Sequence, residues 1–343
     1  MKQIGILTFW GVPNYGAWAQ SYALNRIVKG IVNEEYEVNH INYLCQIHND
    51  LYYLNNLRLK NAFDYSWREI PHTKRMNSDE LSREYYDILI TGSDSIWEFS
   101  LPEMGDDIHL IGNNLNSPRI ISYAASFGVT SLKHNLPEYI RQGLRNYEAI
   151  SVRDVNSQEV VYGMTDRKVL APIHLDPVLL WDFKQDENVK DCIYTSYIAV
   201  YGTKWSVEFI KYAKNFAKEK KCLLISIGDN NAWCDVCMRM IELRCQEWIG
   251  MIKNAEYVFT STYHGLLFSI AFDKQFKFDM VPYVKNRAIT ILNNIGVDSY
   301  YENGKSIDEV FDAVIDYDAV NEKLNKWRRE SVEWLKYVIK GDL

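Results

Sequence analysis

The residue best placed to do chemistry is a histidine that follows a hydroxyl-rich turn. The apolar run Tyr257–Thr260 predicts a buried strand, Ser261 and Thr262 come next, and His264 stands at the start of a predicted helix over 265–272. A helix N-terminus favours the neutral imidazole and offers free amides that attract anions. His264 is therefore a candidate acid, base or phosphate contact. A histidine that only organises the turn is the competing interpretation.

Two charged residues follow other apolar runs in the same way. Asp94 comes just after the run 88–91, where a carboxylate can accept a proton or bind a hydroxyl, or can instead cap the following helix. Arg153 also follows a mostly apolar run, and its guanidinium can bind a carboxylate or phosphate through two parallel hydrogen bonds. A surface ion pair with Asp154 or Glu159 is the alternative for Arg153.

A Gly/Pro/Asn loop near the N-terminus is a further candidate anion site. Gly11 and Gly16 bracket this loop, which separates a predicted strand from a predicted helix. Its free amides could hold an anion, although the spacing matches neither the dinucleotide-binding fingerprint nor the P-loop, so a tight structural turn explains it as well. The pair Cys234 and Cys237 lacks the second pair that a zinc site needs, and we expect no metal site and six reduced thiols.

The elements that must position these residues alternate between short apolar runs and amphipathic helices. Such alternation predicts a mostly parallel sheet with helices on both faces, and the pattern starts again after about residue 190. In such sheets, ligands bind beyond the carboxyl ends of the strands, where the candidate residues stand. We predict an N-terminal domain over 1–185, a C-terminal domain over 186–318 and a C-terminal helix over 319–343.

Composition supports this organisation and limits the partners. A chain of 343 residues usually forms two domains, and 47% hydrophobic and 24% charged residues are typical of a globular protein. The formal net charge of −7 argues against nucleic acid as a partner. The sequence shows neither a secretory signal nor about 18 consecutive apolar residues, which predicts a cytoplasmic location.

Two stretches fall outside the repeating pattern. Residues 51–77 are rich in aromatic and basic side chains, including Tyr65 and Trp67, and predict an insertion in the first domain that is either a peripheral helical hairpin or a lid for an acceptor. In the C-terminal helix, an apolar stripe at helical spacing includes Leu324, Trp327 and Leu335. Such a face must pack on another element, and we expect it to dock on the first domain.

Taken together and in this order, the candidate segments resemble those of the polysaccharide pyruvyl transferases. The family's opening pattern N-N-Y-G-A-x-x-Q-x-Y-A-L is similar to PNYGAWAQSYAL, and its G-S-D-x-x-W motif is similar to GSDSIW. The other similar segments are YAASFG, SVRD, LDPVLLW and TSTYHGLLFSIAF, and coverage runs from about Gly5 to Arg287. The resemblance implies a GT-B-like fold of two Rossmann-like domains facing across a cleft, with the C-terminal helix crossing back to the first domain.

The resemblance also implies an activity: transfer of a pyruvyl group from phosphoenolpyruvate to two hydroxyls of a sugar, giving a cyclic ketal and phosphate without a cofactor. Carried over by position, His264, Asp94 and Arg153 are catalytic candidates, with Arg153 on the donor's anionic groups. The substrate-binding candidates are Asn14, Gly16, Ser126, Ser261, Lys285 and Arg287.

One position departs from the family pattern. Some members carry Arg two positions before the histidine, where this chain has Thr262, and Lys285 or Arg287 could replace that cation. The acceptor is expected to be a sugar or lipid-linked glycan of a surface polysaccharide, which leaves room for a peripheral contact at the inner face of the membrane. The rival interpretations are a GT-B glycosyltransferase that uses a nucleotide sugar and a non-catalytic sugar-binding protein of a polysaccharide assembly system.

Overall fold

The computed structural model describes residues 1–51, 57–101, 107–297 and 314–341, and the chain divides into two compact units. The first unit takes its residues from Met1–Lys60, Trp67–Trp181 and Trp327–Leu343. The second takes them from Asn61–Ser66 and Asp182–Lys326. The chain therefore leaves the first unit after Trp181, at the start of the polar stretch that follows it in the sequence.

The first unit contains a five-stranded, wholly parallel sheet. Its strands are β1 (Lys2–Leu7), β2 (Tyr36–His40), β3 (Ile88–Thr91), β4 (Ile120–Ala125) and β5 (Ala149–Val152). They lie in the order β2-β1-β3-β4-β5, the flavodoxin-like arrangement, with the strand order reversing between β1 and β3. All residues of β3 and β4 are buried, because helices cover both faces of such a sheet.

Among the described residues before Asp182, the chain also forms six helices and two short 3-10 segments. The helices are α1 (Tyr15–Val32), α2 (Gln46–Asn49), α3 (Leu57–Trp67), α4 (Ser78–Arg83), α5 (Glu138–Leu144) and α6 (Val155–Met164), and the 3-10 segments are Ile108–Ile111 and Pro177–Leu179. Side chains of Asn14, Asn77 and Asp154 cap α1, α4 and α6, which fixes where these helices begin.

The second unit contains another five-stranded parallel sheet with a different strand order. Its strands are β6 (Tyr197–Tyr201), β7 (Leu223–Gly228), β8 (Val236–Arg239), β9 (Tyr257–Thr260) and β10 (Gln275–Phe278). The order β10-β9-β6-β7-β8 is the Rossmann arrangement, with its reversal between β6 and β9. The helices are α7 (Val207–Lys220), α8 (Cys245–Asn254), α9 (Tyr263–Ala271) and α10 (Lys285–Ile295).

The C-terminal helix α11 (Tyr317–Lys340) returns the chain to the first unit, as its apolar stripe predicts. Leu335, Val338 and Ile339 join the core cluster that contains Ile4 and Ile6 of β1. No helix in the described part of the chain is long and apolar enough to cross a bilayer.

The aromatic and basic stretch over residues 51–77 forms α3 (Leu57–Trp67), is not helical after it, and has residues 52–56 outside the described part. Within α3, Phe63 and Trp67 are buried and Tyr65 is half exposed. Asn61–Ser66 groups with the second unit, so this segment is not an appendage of the first domain alone.

An arginine from the first sheet caps the C-terminal helix, which gives a first testable prediction. Arg119 donates to the carbonyls of Val338 and Ile339 at 2.6 and 3.0 Å and pairs with Glu148. We expect Arg119→Ala to lower the free energy of unfolding by about 2 kcal/mol, since charged hydrogen bonds at a helix C-terminus are lost. Urea denaturation measures this. Exposed Arg145 provides the control, and equal effects of Arg119→Ala and Arg145→Ala would contradict the prediction.

Candidate functional site

At the carboxyl edge of the first sheet, hydrogen bonds join the strand ends on either side of the order reversal. The hydroxyl of Thr8, after β1, donates to the carbonyl of Ser93 at 2.8 Å. The fully buried Gln20 of α1 donates to Thr8 at 3.2 Å and accepts from the Ser93 hydroxyl at 2.7 Å. The loop that carries Asp94 is thus fixed to the start of the first helix.

Asp94 and Arg153 are brought together at this edge, and a third residue joins them. One guanidinium nitrogen of Arg153 donates to Asp94 Oδ1 at 3.3 Å and to the Ser95 hydroxyl at 3.2 Å. The other donates to Asp176 Oδ2 at 2.6 Å. The side chains of Arg153 and Asp176 are 1% and 0% exposed, whereas that of Asp94 is 14% exposed.

This buried group has one cation and two carboxylates. Because Arg153 already pairs with both, its charge is matched within the protein, and its main effect is to hold Asp94. Asp94 adopts a φ of 77°, a conformation uncommon outside glycine, which points to a position that its surroundings fix. Asp94 is the member of the group that reaches solvent.

Arg153 does not form the surface ion pair with Asp154 that was its alternative interpretation. Asp154 caps α6 by accepting from the Ser157 amide at 2.8 Å, and its second oxygen accepts from the Ser126 hydroxyl at 2.6 Å. Ser126 is fully buried and also accepts from the Gly128 amide at 3.0 Å. In the structure, the Ser126 hydroxyl therefore stabilises the turn after β4.

The N-terminal loop places Asn14 and Gly16 at the start of α1. Asn14 is exposed, and its side-chain oxygen accepts from the Ala17 amide at 3.0 Å, which caps the helix. Gly16 is buried in the first helical turn. Asn14 ends the loop after β1 and Gly16 lies in the first turn of the helix that follows, beside the reversal of strand order, where ligands bind in sheets of this type.

The second sheet has a comparable edge, at the reversal between β6 and β9. Ser261, after β9, donates through its amide to the Tyr201 carbonyl at 3.2 Å and through its hydroxyl to the Thr203 carbonyl at 2.9 Å. Gly202, after β6, has a φ of 139°, and a Cβ atom there would lie 2.2 Å from the Ser261 hydroxyl. Only glycine allows this close approach of the two loops.

His264 is the second residue of α9, because this helix begins at Tyr263, two residues earlier than the sequence predicts. Thr262 caps this helix through its hydroxyl, which accepts from the Gly265 amide at 3.0 Å. This explains why threonine suits the position where some relatives carry arginine. The His264 ring is half buried and meets the Tyr263 ring edge to face at 5.5 Å.

Arg287 lies on α10 and also contacts Tyr263. It is 5% exposed, donates to the Tyr283 carbonyl at 2.9 Å, and its guanidinium lies 5.6 Å from the Tyr263 ring centroid. His264 and Arg287 therefore both contact Tyr263. Lys285, the first residue of α10, is exposed.

Asp176 is the member of the site that the sequence interpretation missed. It lies in the LDPVLLW segment and caps the 3-10 segment Pro177–Leu179, accepting from the Val178 amide at 3.0 Å. An aspartate before a helix-initiating proline is a recognisable cap pattern, so its backbone role could have been found. Its pairing with Arg153 joins segments that are remote in sequence and leaves no local signal.

A model of the polysaccharide pyruvyl transferase family matches residues 14–276. The chain belongs to this family. The match begins at the Asn14 cap, includes Asp94, Arg153 and His264, and ends within β10. Membership of the polysaccharide pyruvyl transferases supports a transferase role in pyruvyl transfer on polysaccharide. No curated protein matches the chain.

Solved structures similar to this polysaccharide pyruvyl transferase have very different sequences. S. aureus MnaA with UDP is 12% identical, with 99% of this chain and 97% of that one covered and a TM-score of 0.55. A UDP-GlcNAc 2-epimerase from Methanocaldococcus jannaschii is 12% identical, with 99% and 100% covered and a TM-score of 0.54. A putative UDP-N-acetylglucosamine 2-epimerase from Listeria monocytogenes is 10% identical, with 100% and 97% covered and a TM-score of 0.53. At such identities the similarity shows the fold alone, and it confirms the GT-B-like prediction.

Proposed function

We propose that this protein transfers a pyruvyl group from phosphoenolpyruvate to two hydroxyls of a sugar in a surface polysaccharide or its precursor. The products are a cyclic ketal and phosphate. Family membership supports the pyruvyl transfer, and the observation that carries the choice of donor is the group of His264, Arg287 and Tyr263 at the edge of the second sheet. A cation, an imidazole and a helix N-terminus together suit a ligand with a phosphate and a carboxylate.

The structure changes which cation we assign to the donor. Arg153 pairs with two carboxylates, so we assign donor binding to the second unit, with Arg287 and His264 near the phosphate and Ser261 and Lys285 as further contacts. Arg287 replaces the arginine that some relatives carry at the position of Thr262. The guanidinium is always charged and presents several donors to an oxyanion.

Asp94 is the residue that we assign to the acceptor. Its carboxylate is held by Arg153 and remains partly exposed, so it can accept a proton from an incoming hydroxyl or orient that hydroxyl by a hydrogen bond. Ketal formation also needs a proton at the donor's methylene carbon and stabilisation of positive charge at the adjacent carbon. As proposed, the reaction needs only donor and acceptor.

We place the reaction in the cytoplasm, at the inner face of the membrane when the acceptor is lipid-linked. The structure has no disulfide among the six cysteines, all of which lie in its described part, and such free cysteines are typical of proteins from a reducing compartment.

Donor identity is tested by thermal denaturation. Phosphoenolpyruvate at a hundred times its dissociation constant should stabilise the protein by about 2.7 kcal/mol, because it binds the folded state only. Arg287→Gln should remove most of this stabilisation. The matched control Arg145→Gln, at an exposed position, should retain it. Stabilisation by a nucleotide diphosphate sugar and not by phosphoenolpyruvate would favour the glycosyltransferase alternative.

A further inference from the structure

A carboxylate outside the residues discussed so far lies at the same edge of the second sheet as His264. Asp229 follows β7, the neighbour of β6, and accepts a hydrogen bond from the Gly202 amide. Gly202 in turn approaches the Ser261 hydroxyl, three residues before His264. Asp229 and Ser261 therefore flank the same glycine, beside the reversal of strand order.

The loop that carries Asp229 is held by a buried asparagine. The Asn231 side chain donates to the Gly202 carbonyl at 3.0 Å and to the Ser226 hydroxyl at 2.9 Å, and it accepts from the Trp205 indole at 2.9 Å. The Ser226 hydroxyl donates to the Asp229 carbonyl at 2.7 Å. These bonds fix the backbone of Asp229 relative to Gly202.

The surroundings of Asp229 favour its protonated form. Burial raises the pKa of Asp229 above its ordinary value, and the Gly202 amide offsets only part of this effect. Tyr201 of β6 interacts electrostatically with this carboxyl, and its own pKa is raised mainly by burial and then by Asp229. A carboxylic acid whose surroundings favour its protonated form is suited to donate a proton.

We propose that Asp229 is a further catalytic residue, the acid that delivers a proton to the methylene carbon of the donor. This inference rests on the proposed function. In the step, the O–H bond of Asp229 breaks and a C–H bond forms from the double-bond electrons of phosphoenolpyruvate. The carbon that bears the phosphate becomes positive and is attacked by the first acceptor hydroxyl.

The remaining proton transfers complete the balance. Phosphate leaves with its electron pair and the second hydroxyl adds to the same carbon, closing the ketal. Of the two hydroxyl protons released, one departs on hydrogen phosphate and the other returns to Asp229. Donor and acceptor therefore give ketal and phosphate with no oxidant or further reactant.

Asp229→Asn tests the assignment, because asparagine keeps the oxygen that accepts from Gly202 but has no acid proton. We expect kcat to fall about 100-fold while phosphoenolpyruvate still stabilises the variant against heat as it does the parent. The matched control is Asp235→Asn. Asp235 is an exposed carboxylate of the same unit that accepts from the Leu224 amide at 2.8 Å, and the control should retain normal turnover.

A second variant separates proton transfer from a structural role. Asp229→Ala should also lose turnover, and added formic acid should restore part of it at the vacated position without affecting the parent enzyme. Near-normal kcat in Asp229→Asn, or absence of formate rescue in a folded Asp229→Ala, overturns the proposal. Failure of the parent enzyme to release phosphate from phosphoenolpyruvate in the presence of acceptor would instead contradict the proposed function itself.

Discussion

Asp176→Ala is expected to lower the free energy of unfolding by about 3–5 kcal/mol, the largest stability effect that we predict. Removing one partner takes away the shorter of the two ion pairs of the fully buried Arg153 and leaves the longer one to Asp94, and an undercompensated buried charge is costly. Urea denaturation followed by tryptophan fluorescence measures the change. The exposed pair of Lys2 and Glu35 provides the control, since Glu35→Ala should cost no more than about 1 kcal/mol.

A double variant tests whether charge burial is the cause. Arg153→Met combined with Asp176→Leu removes both charges, so it should be less destabilising than the sum of the single variants. If the double variant loses as much free energy of unfolding as the two single variants together, the two residues act independently and the buried ion pair does not explain the effect. An Asp176→Ala variant as stable as the parent would contradict the prediction outright.

His264→Ala is expected to lower turnover about 100-fold or more at saturating donor, with a stability close to that of the parent. The imidazole is half buried at the start of α9, whereas the cap of this helix is Thr262, so its loss removes proton transfer and leaves the turn in place. Steady-state phosphate release, corrected for the folded fraction by circular dichroism, measures the effect.

Thr262→Ala is the matched control for the structural explanation of His264. It removes the helix cap and should cost about 1 kcal/mol of stability while turnover per folded molecule stays within a few-fold of the parent. If His264→Ala instead loses stability and keeps turnover, the histidine organises the turn and is not catalytic.

The prediction of the fold from sequence succeeds where hydrophobic runs are long and buried. Buried strands of parallel sheets are continuous apolar segments in the sequence, so β3 and β9 have the bounds that the sequence predicts. Edge strand β8 was not predicted. Its residues are only partly buried and include Cys237 and Arg239, so it carries no apolar run.

The site is only partly predictable, for a different reason. A strand end marks Asp94, Arg153 and His264 as residues at a carboxyl edge, but sequence spacing does not show which side chains pair. Arg153 was expected to be available to a donor anion, and the structure pairs it with Asp176 and Asp94. Whether Arg153 also contacts the donor stays a prediction, and we now expect its loss to affect stability first.

The return of the C-terminal helix to the first unit has a consequence for synthesis on the ribosome. Leu335 packs in the same core as Ile4, so this core cannot close until α11 has emerged from the ribosome. The second unit is contained between residues 182 and 326 apart from one short segment, and its contacts become available earlier. We therefore expect the nascent protein to complete its second unit first, with the first unit's apolar strands exposed to chaperones until α11 has emerged.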